Sequence, residues 1–236
     1  MTVATRYNNP GAYVGSGVID NLNKPEPGQF TPREWRVVQR LNTPTRVQRF
    51  LSSLPYNWEQ QGGSTLRSFR EVLKHHEVHC LEAAVGAAVI LEQHGYPPLL
   101  LDLESQDLLD HVVFVFQKGG KWGSIGRSRD LGLHGRKPVF RSIRDLVWSY
   151  FDPYVDFTGR IKGYGVTNLY ELGNYDWRFS ARRMTKIEDH LRAIPHRRLR
   201  SSDVRYTRLL ERYHEYKKRY PESSPTYYRS RSVWMR

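Results

Sequence analysis

The side chains that could carry chemistry lie between residues 80 and 130. Cys80 is the single cysteine of the chain, so an intrachain disulfide is excluded. It stands at the start of a helix predicted over residues 80–94, where unpaired backbone N–H groups and the positive end of the helix dipole favour the nucleophilic thiolate. This position suits a catalytic thiol, and the alternative, which is commoner for a lone cysteine, is a small, buried and inert side chain.

A catalytic thiol needs a base, and His111 is the best candidate. It opens a strand predicted over residues 111–116, at a boundary where side chains face a cleft instead of the middle of a sheet. We expect Cys80 and His111 to face each other across the junction of helix and sheet, where an ion pair between them lowers the thiol pKa. The alternative is a strand-end histidine that bonds only a nearby backbone group.

Other chemistries find less support in the sequence. His75 and His79 share a helix face next to Cys80, but no further ligand-rich segment completes a metal site. We therefore expect surface histidines there, and neither a metal nor a cofactor. The sequence contains no Gly-x-x-x-x-Gly-Lys phosphate loop and no Gly-x-Ser-x-Gly nucleophile elbow.

The elements that must position this pair are helices before it and strands after it. Capping patterns predict helix starts at Thr31, Thr43 and Ser68, and Gly95 ends the helix that begins at Cys80. Antiparallel strands are predicted over residues 99–103, 111–116 and 121–125, the last two joined by a hairpin turn at 118–120.

The remaining segments complete an α+β prediction. A further helix is capped by Ser142, residues 152–179 are expected to form packed loops or short strands, and an apolar stripe marks a last amphipathic helix. The stripe consists of Tyr206, Leu209, Leu210 and Tyr213. The order of elements predicts helices packed with the Cys80 helix against an antiparallel sheet that carries His111.

Length and composition indicate one domain with tails. The chain has 236 residues and is 39% hydrophobic, enough for one core, which excludes wholesale disorder. We expect an irregular arm over residues 1–30, a core domain over residues 31–196, and a basic helix and tail over residues 197–236. No apolar run approaches the roughly 18 residues of a membrane span. Residues 1–10 lack the apolar stretch of a secretory signal, so we expect a cytoplasmic protein.

Positive charge is concentrated towards the C-terminus. The formal net charge is +13, and residues 181–236 hold 16 of the 37 Lys and Arg but 6 of the 24 Asp and Glu. One interpretation is a solvated helix face followed by a loose tail. The other is an electrostatic contact with an acidic partner or nucleic acid, for which the interleaved tyrosines offer stacking surfaces.

Residues 65–130 resemble the core of the transglutaminase-like superfamily. The resemblance rests on Cys80 at a helix start, then His94-Gly95-Tyr96-Pro97, then Asp110-His111 before a Val-rich strand, and then Gly119-Gly120-Lys121-Trp122. Residues 124–150 also resemble those of uncharacterised bacterial proteins with this core. The resemblance implies a papain-like arrangement, in which a helix headed by cysteine packs on an antiparallel sheet carrying a histidine and then an aspartate.

The third residue of such a site is where the sequence departs from the family. The usual aspartate falls at Gly126. A hairpin turn centred near residues 118–119 gives the same result, because it sets Gly126 or Arg127 opposite His111.

Three other side chains are candidates for orienting the imidazole. Ser128 could do so by a hydrogen bond, and Asp130 could also stabilise the imidazolium. Asp102, on the neighbouring strand, is a further possibility. A missing aspartate fits either a modified site or a fold that has lost catalysis.

Two functions from different classes follow. The first is cysteine-dependent acyl transfer on a peptide or amide bond of a protein or peptide substrate, with Cys80 as nucleophile and His111 as base. Water as acceptor gives a peptidase or amidase, and an amine gives a transglutaminase. The second is a non-catalytic binding protein on the same fold, whose basic C-terminal quarter contacts an acidic partner.

Overall fold

The computed structural model of the chain describes residues 24–59, 63–156 and 158–222. Over these residues the fold is mixed α+β, which confirms the predicted class. The helices are α1 (Pro32–Arg40), α2 (Pro44–Ser53), α3 (Phe69–His75), α4 (Cys80–Glu92), α5 (Ile143–Tyr154), α6 (Thr185–Ala193) and α7 (Asp203–Arg219). The strands are β1 (Leu99–Ser105), β2 (His111–Lys118), β3 (Lys121–Ile125), β4 (Arg136–Phe140), β5 (Ile161–Asn168) and β6 (Arg197–Arg198).

Local sequence sets where the first helices begin. The Thr31, Thr43 and Ser68 hydroxyls each accept a hydrogen bond from the backbone N–H three residues later. Each cap satisfies a donor for which the first helical turn has no partner of its own. All three predicted helix starts are confirmed.

The six strands form one sheet in the order β4-β3-β2-β1-β5-β6, and every neighbouring pair is antiparallel. The strands predicted over residues 99–103, 111–116 and 121–125 are confirmed as β1, β2 and β3. β2 and β3 are joined through Gly119 and Gly120, whose φ angles are 57° and 69°. Two residues with positive φ suit a tight turn that follows the twist of the strands.

The register predicted for this hairpin was wrong. Lys118 pairs with Lys121, so the turn is centred one residue later than predicted. Because a turn fixes the register of both strands, Gly126 comes to lie against Val113 instead of opposite His111.

β5 lies within residues 152–179, where the sequence predicts packed loops or short strands without giving their bounds. Its Gly163 and Gly165 lie where neighbours leave no space for a side chain. A Cβ at Gly163 would be 2.4 Å from Glu104 Oε2, and one at Gly165 would be 2.8 Å from Ile194 Cδ1. The same glycines interrupt the apolar alternation that marks a strand.

The core and the sheet extend past the limits predicted for the core domain. Phe30 is buried in the apolar cluster of α4, and β6 pairs with β5. Residues 1–23 of the predicted arm and 223–236 of the predicted tail lie outside the described residues. Within the described part of the chain, no α-helix combines the length and apolarity needed to cross a lipid bilayer.

Helices cover both faces of the sheet. Side chains alternate between faces along β1, so Leu100 joins the cluster that includes α4, and Leu101 joins the cluster that includes α5. The second cluster also receives the partly buried side chains of the predicted amphipathic helix, α7, namely Tyr206, Leu209 and Leu210. Because both faces are covered, reactive side chains reach solvent where the strands end.

The first turn of α4 is held by a buried carboxylate. The Glu82 side chain is fully buried and accepts hydrogen bonds at distances from 2.6 to 3.2 Å. The donors are the backbone N–H groups of His79 and Arg67 and the side chains of Asn57 and Thr65. These hydrogen bonds link the segment at Asn57 and the segment at 65–67 to the start of α4, and so fix the position of Cys80.

Glu82→Ala should lower the free energy of unfolding by about 3 kcal/mol or more, because several buried donors lose their acceptor. Denaturant unfolding followed by circular dichroism measures the change. Glu77→Ala is the matched control, since Glu77 pairs with Arg67 at 2.7 Å but keeps 37% of its side chain exposed. The control should lose less than about 1 kcal/mol. Equal losses in the two variants would contradict this account.

Candidate active site

A cavity of about 890 Å³ opens at the head of α4. It is lined by all four residues predicted to form the site, Cys80, His111, Ser128 and Asp130. Further walls come from residues 56–59, from the segment between β3 and β4, and from Tyr213 and Lys217 of α7. The structure thus brings the predicted site residues to one solvent-accessible place.

Cys80 is the first residue of α4. Its sulfur is hydrogen-bonded to the His111 imidazole, and the His79 ring lies beside it. Burial raises the pKa of the thiol, but the interactions of the sulfur with the two rings outweigh burial and lower the pKa to about 5. At neutral pH the group is therefore a thiolate, which is the nucleophilic form of cysteine.

His111 is fixed in one tautomer by a backbone carbonyl. Its Nε2 lies 2.8 Å from the carbonyl oxygen of Leu133. Because a carbonyl oxygen only accepts hydrogen bonds, Nε2 carries the proton and donates it. The neutral ring then has its lone pair on Nδ1, which is left to exchange a proton with the Cys80 sulfur. The ring is buried, and its centre is 6.0 Å from that of Tyr150.

Gly126, the position at which the resemblance predicts an aspartate, is closed to a side chain. Gln48 binds both backbone groups of Gly126: its Oε1 accepts from the N–H at 3.0 Å, and its Nε2 donates to the carbonyl at 2.9 Å. A Cβ at Gly126 would lie 2.7 Å from Val113 Cγ1, closer than packed carbon atoms approach.

The three side chains considered as orienting groups make other contacts. Ser128 Oγ accepts a hydrogen bond from the Asp130 backbone N–H at 3.2 Å, and the Asp130 carboxylate lies 3.5 Å from Arg129 Nε. Asp102 accepts one from His196 Nε2 at 2.9 Å, and burial raises the pKa of Asp102 to about 6. The nitrogen of His111 that faces away from the sulfur donates to a backbone carbonyl, so a main-chain group holds the ring.

His79 is a site residue that the sequence reasoning missed. The expectation of a surface position holds for His75 and is wrong for His79, which is 7% exposed. His79 caps α4, with Nδ1 accepting the Leu81 N–H at 3.2 Å, and its Nε2 lies 3.3 Å from Glu59 and 3.5 Å from Glu82. The signal that could have found it is the spacing of His79 and Glu82, which matches a capping box.

The charge on His79 is decided by opposing contacts. Burial lowers its pKa, whereas the Cys80 sulfur and the carboxylates of Glu82 and Glu59 raise it to about 9. The cap opposes protonation, because a protonated Nδ1 cannot accept the Leu81 N–H. A cap contributes about 1 kcal/mol, less than three nearby negative groups in a buried site. The thiolate therefore has a cation beside it.

The segment between β3 and β4 carries a second histidine that the sequence did not signal. His134 Nε2 donates to the Ser128 carbonyl at 3.0 Å. Burial and the positive charges of Arg127 and neighbouring groups lower the pKa of His134 to about 4, so the ring stays neutral. In the described ranges, no group of three or more His, Cys, Asp and Glu side chains could hold a metal ion.

Gly126→Asp should destabilise the protein instead of supplying a third site residue. The new Cβ would overlap Val113, and overpacking a buried position costs about 1–3 kcal/mol. Thermal unfolding measures the loss. Gly28→Asp adds the same charge where no heavy atom lies within 4 Å, and it should leave the midpoint nearly unchanged. Adding Val113→Ala to Gly126→Asp should recover part of the loss, and a Gly126→Asp protein as stable as the parent would refute the steric explanation.

Comparison of the sequence with protein-family models and with curated proteins finds no match. The function of the site is therefore inferred from its own geometry and chemistry.

Proposed function

We propose that this chain is a cysteine-dependent acyl-transfer enzyme with a papain-like core of the transglutaminase-like type, acting on a peptide or amide bond. The observation that carries the proposal is the Cys80 sulfur hydrogen-bonded to His111 at the wall of an open cavity. A thiolate beside an imidazole, both within reach of a substrate, is what nucleophilic acyl transfer requires.

In the proposed reaction the Cys80 thiolate adds to the substrate carbonyl carbon, and the π electrons of the carbonyl move to its oxygen. The protonated His111 ring gives its Nδ1 proton to the leaving amine as the C–N bond breaks, which leaves a thioester on Cys80. A second nucleophile then attacks the thioester, Nδ1 accepts its proton, and the thiolate departs. Water as this nucleophile gives hydrolysis, and an amine gives transamidation.

The first turn of α4 offers a donor for the oxyanion. The Leu81 N–H is bound by His79, and the His79 N–H is bound by Glu82. No group in the described part of the chain accepts a hydrogen bond from the Cys80 N–H. A free N–H at a helix start beside the nucleophile is suited to the negative charge that develops on the substrate oxygen.

The rim of the cavity suits a polypeptide substrate. Trp58 and Leu109 line the cavity while 59% and 61% of their surfaces remain exposed. Exposed apolar side chains beside an open cleft are typical of surfaces on which a peptide packs. This feature favours a protein or peptide substrate over a small enclosed metabolite.

A second candidate is a non-catalytic binding protein on the same fold. The observation that favours it is α7, which has no buried residue and carries Lys217, Lys218 and Arg219 in its last turn. An exposed basic helix suits an acidic partner or nucleic acid.

Iodoacetamide should alkylate Cys80 at pH 6 about tenfold faster than it alkylates free cysteine. A thiol with a pKa near 5 is almost wholly thiolate at that pH, which outweighs the lower nucleophilicity of a weakly basic thiolate. Because the pKa is lowered, the rate should stay level from pH 8 to pH 6 and fall as the pH approaches 5. Mass spectrometry of quenched samples gives the rate.

Two histidine variants should slow this alkylation. His111→Ala and His79→Ala each remove an imidazole whose interaction with the sulfur lowers the thiol pKa, so each variant raises that pKa. His75→Ala is the matched control, because His75 contacts Glu71 on the exposed side of α3 and should leave the rate unchanged. A Cys80 thiol that does not respond to His111→Ala would remove the basis of the catalytic proposal.

Turnover should be detectable with a complex peptide mixture. We expect the full chain, incubated with proteome-derived peptides with and without a biotin-labelled primary amine, to yield new peptide termini or amine-bearing peptides, identified by mass spectrometry. Cys80→Ala should yield neither product. Absence of both products, together with capture of nucleic acid or an acidic protein that charge reversal on α7 abolishes, would favour the binding function instead.

A further inference from the structure

The carbonyl that holds His111 belongs to a short, irregular segment. Leu133 ends a three-residue 3₁₀ helix, Leu131–Leu133, between β3 and β4. Such helices have weak internal hydrogen bonds, so the direction of the Leu133 carbonyl depends on what holds the segment from outside. An aspartate side chain would orient the imidazole through its own charge and packing. The position of a loop carbonyl depends instead on the contacts that hold the loop.

Arg136 holds the segment on both sides of Leu133. Its side chain is fully buried. Nη2 donates to the carbonyl oxygen of Gly132 at 2.7 Å, and Nη1 donates to that of His134 at 2.5 Å. The guanidinium is a rigid planar fork, so it fixes these two carbonyls relative to each other and leaves the one between them free for His111.

The guanidinium is itself held by α5. Its Nε donates to Ser149 Oγ at 3.0 Å, and Nη2 also donates to the Ser149 carbonyl at 3.1 Å. Its central carbon lies 3.8 Å from the centre of the Tyr150 ring, and the Tyr150 hydroxyl donates to the His134 carbonyl at 3.1 Å. A rigid helix in the core thus fixes the arginine, and the arginine fixes the loop.

We propose that Arg136 is a positioning residue for His111, and that together with the Leu133 carbonyl it takes the place of the aspartate that related sites have. The inference rests on the proposed function, since it concerns the same pair of Cys80 and His111. Arg136 does not touch the reacting atoms. Its effect is to keep the Nε2–H of His111 on the Leu133 carbonyl, so that Nδ1 is the nitrogen that exchanges a proton with the sulfur.

Two substitutions separate the shape of Arg136 from its charge. Arg136→Met keeps the aliphatic stem and removes the fork, and Arg136→Lys keeps the charge but cannot hold two carbonyls in one plane. In a Cys80→Ala background at alkaline pH, where the ring is neutral and has a tautomer to report, both should convert His111 from the Nε2–H form to a mixture of tautomers, read from its ¹⁵N chemical shifts in histidine-labelled protein. With Cys80 present, both should also slow its alkylation at pH 6 by about tenfold, the effect of losing a partner that orients a functional histidine.

Arg178→Met is the control for a purely structural role. Arg178 is a well-buried arginine held by Glu92 at 2.7 Å, at the far end of α4. Its loss should lower the thermal midpoint but leave the His111 tautomer and the alkylation profile unchanged. Equal changes in the Arg178 and Arg136 variants would overturn the proposal, as would folded Arg136 variants with an unaltered tautomer.

A milder variant decides the matter if the Arg136 variants do not fold. Ser149→Ala removes one anchor of the guanidinium, and it should shift part of the His111 population to the other tautomer. No shift would overturn the proposal. Neither readout needs a substrate, so a tautomer shift without turnover of any peptide would leave the positioning role intact while removing the proposed acyl transfer.

Discussion

The site depends on how the buried first turn of α4 satisfies its backbone donors. A helix start leaves N–H groups without partners, and burying them unpaired is costly. Glu82 binds the N–H of His79, and the His79 ring binds that of Leu81. The N–H of Cys80 has no acceptor among the described residues, and Cys80 itself lines the cavity. The same contacts that stabilise the helix start therefore leave one donor and one thiolate available for chemistry.

The charges around the Cys80 sulfur differ from those in a site that contains an aspartate. A carboxylate orients the imidazole and also stabilises its charged form, whereas the Leu133 carbonyl orients it without a net charge. The Cys80 thiolate supplies the negative charge that a carboxylate would otherwise provide, because it lies beside both His111 and His79. Two imidazoles thus lie beside one sulfur. The nearby carboxylates, Glu59 and Glu82, are next to His79.

The pair meets at the end of the sheet because the two residues come from opposite faces. Cys80 belongs to a helix on one face, while His111 follows the alternation of Val113 and Val115, which pack in the cluster of α5 on the other face. They can approach because His111 is the first residue of β2, and β3 ends at Ile125 before reaching it. The segment after β3 is then free to bring a carbonyl to the imidazole from the side of α5.

The sequence by itself determined the features that local interactions govern. Helix caps and side-chain periodicity act within about four residues, so the helix starts, the strands of the hairpin, and Cys80 at the head of α4 were all readable. The tertiary structure decided what holds His111, because the Leu133 carbonyl is 22 residues away along the chain and every residue has a carbonyl, so no residue type marks it. The burial of His79 and the position of Gly126 were decided in the same way. The position of Gly126 depends on where the hairpin turn lies, and the burial of His79 depends on packing between elements. Residue patterns within a single element encode neither.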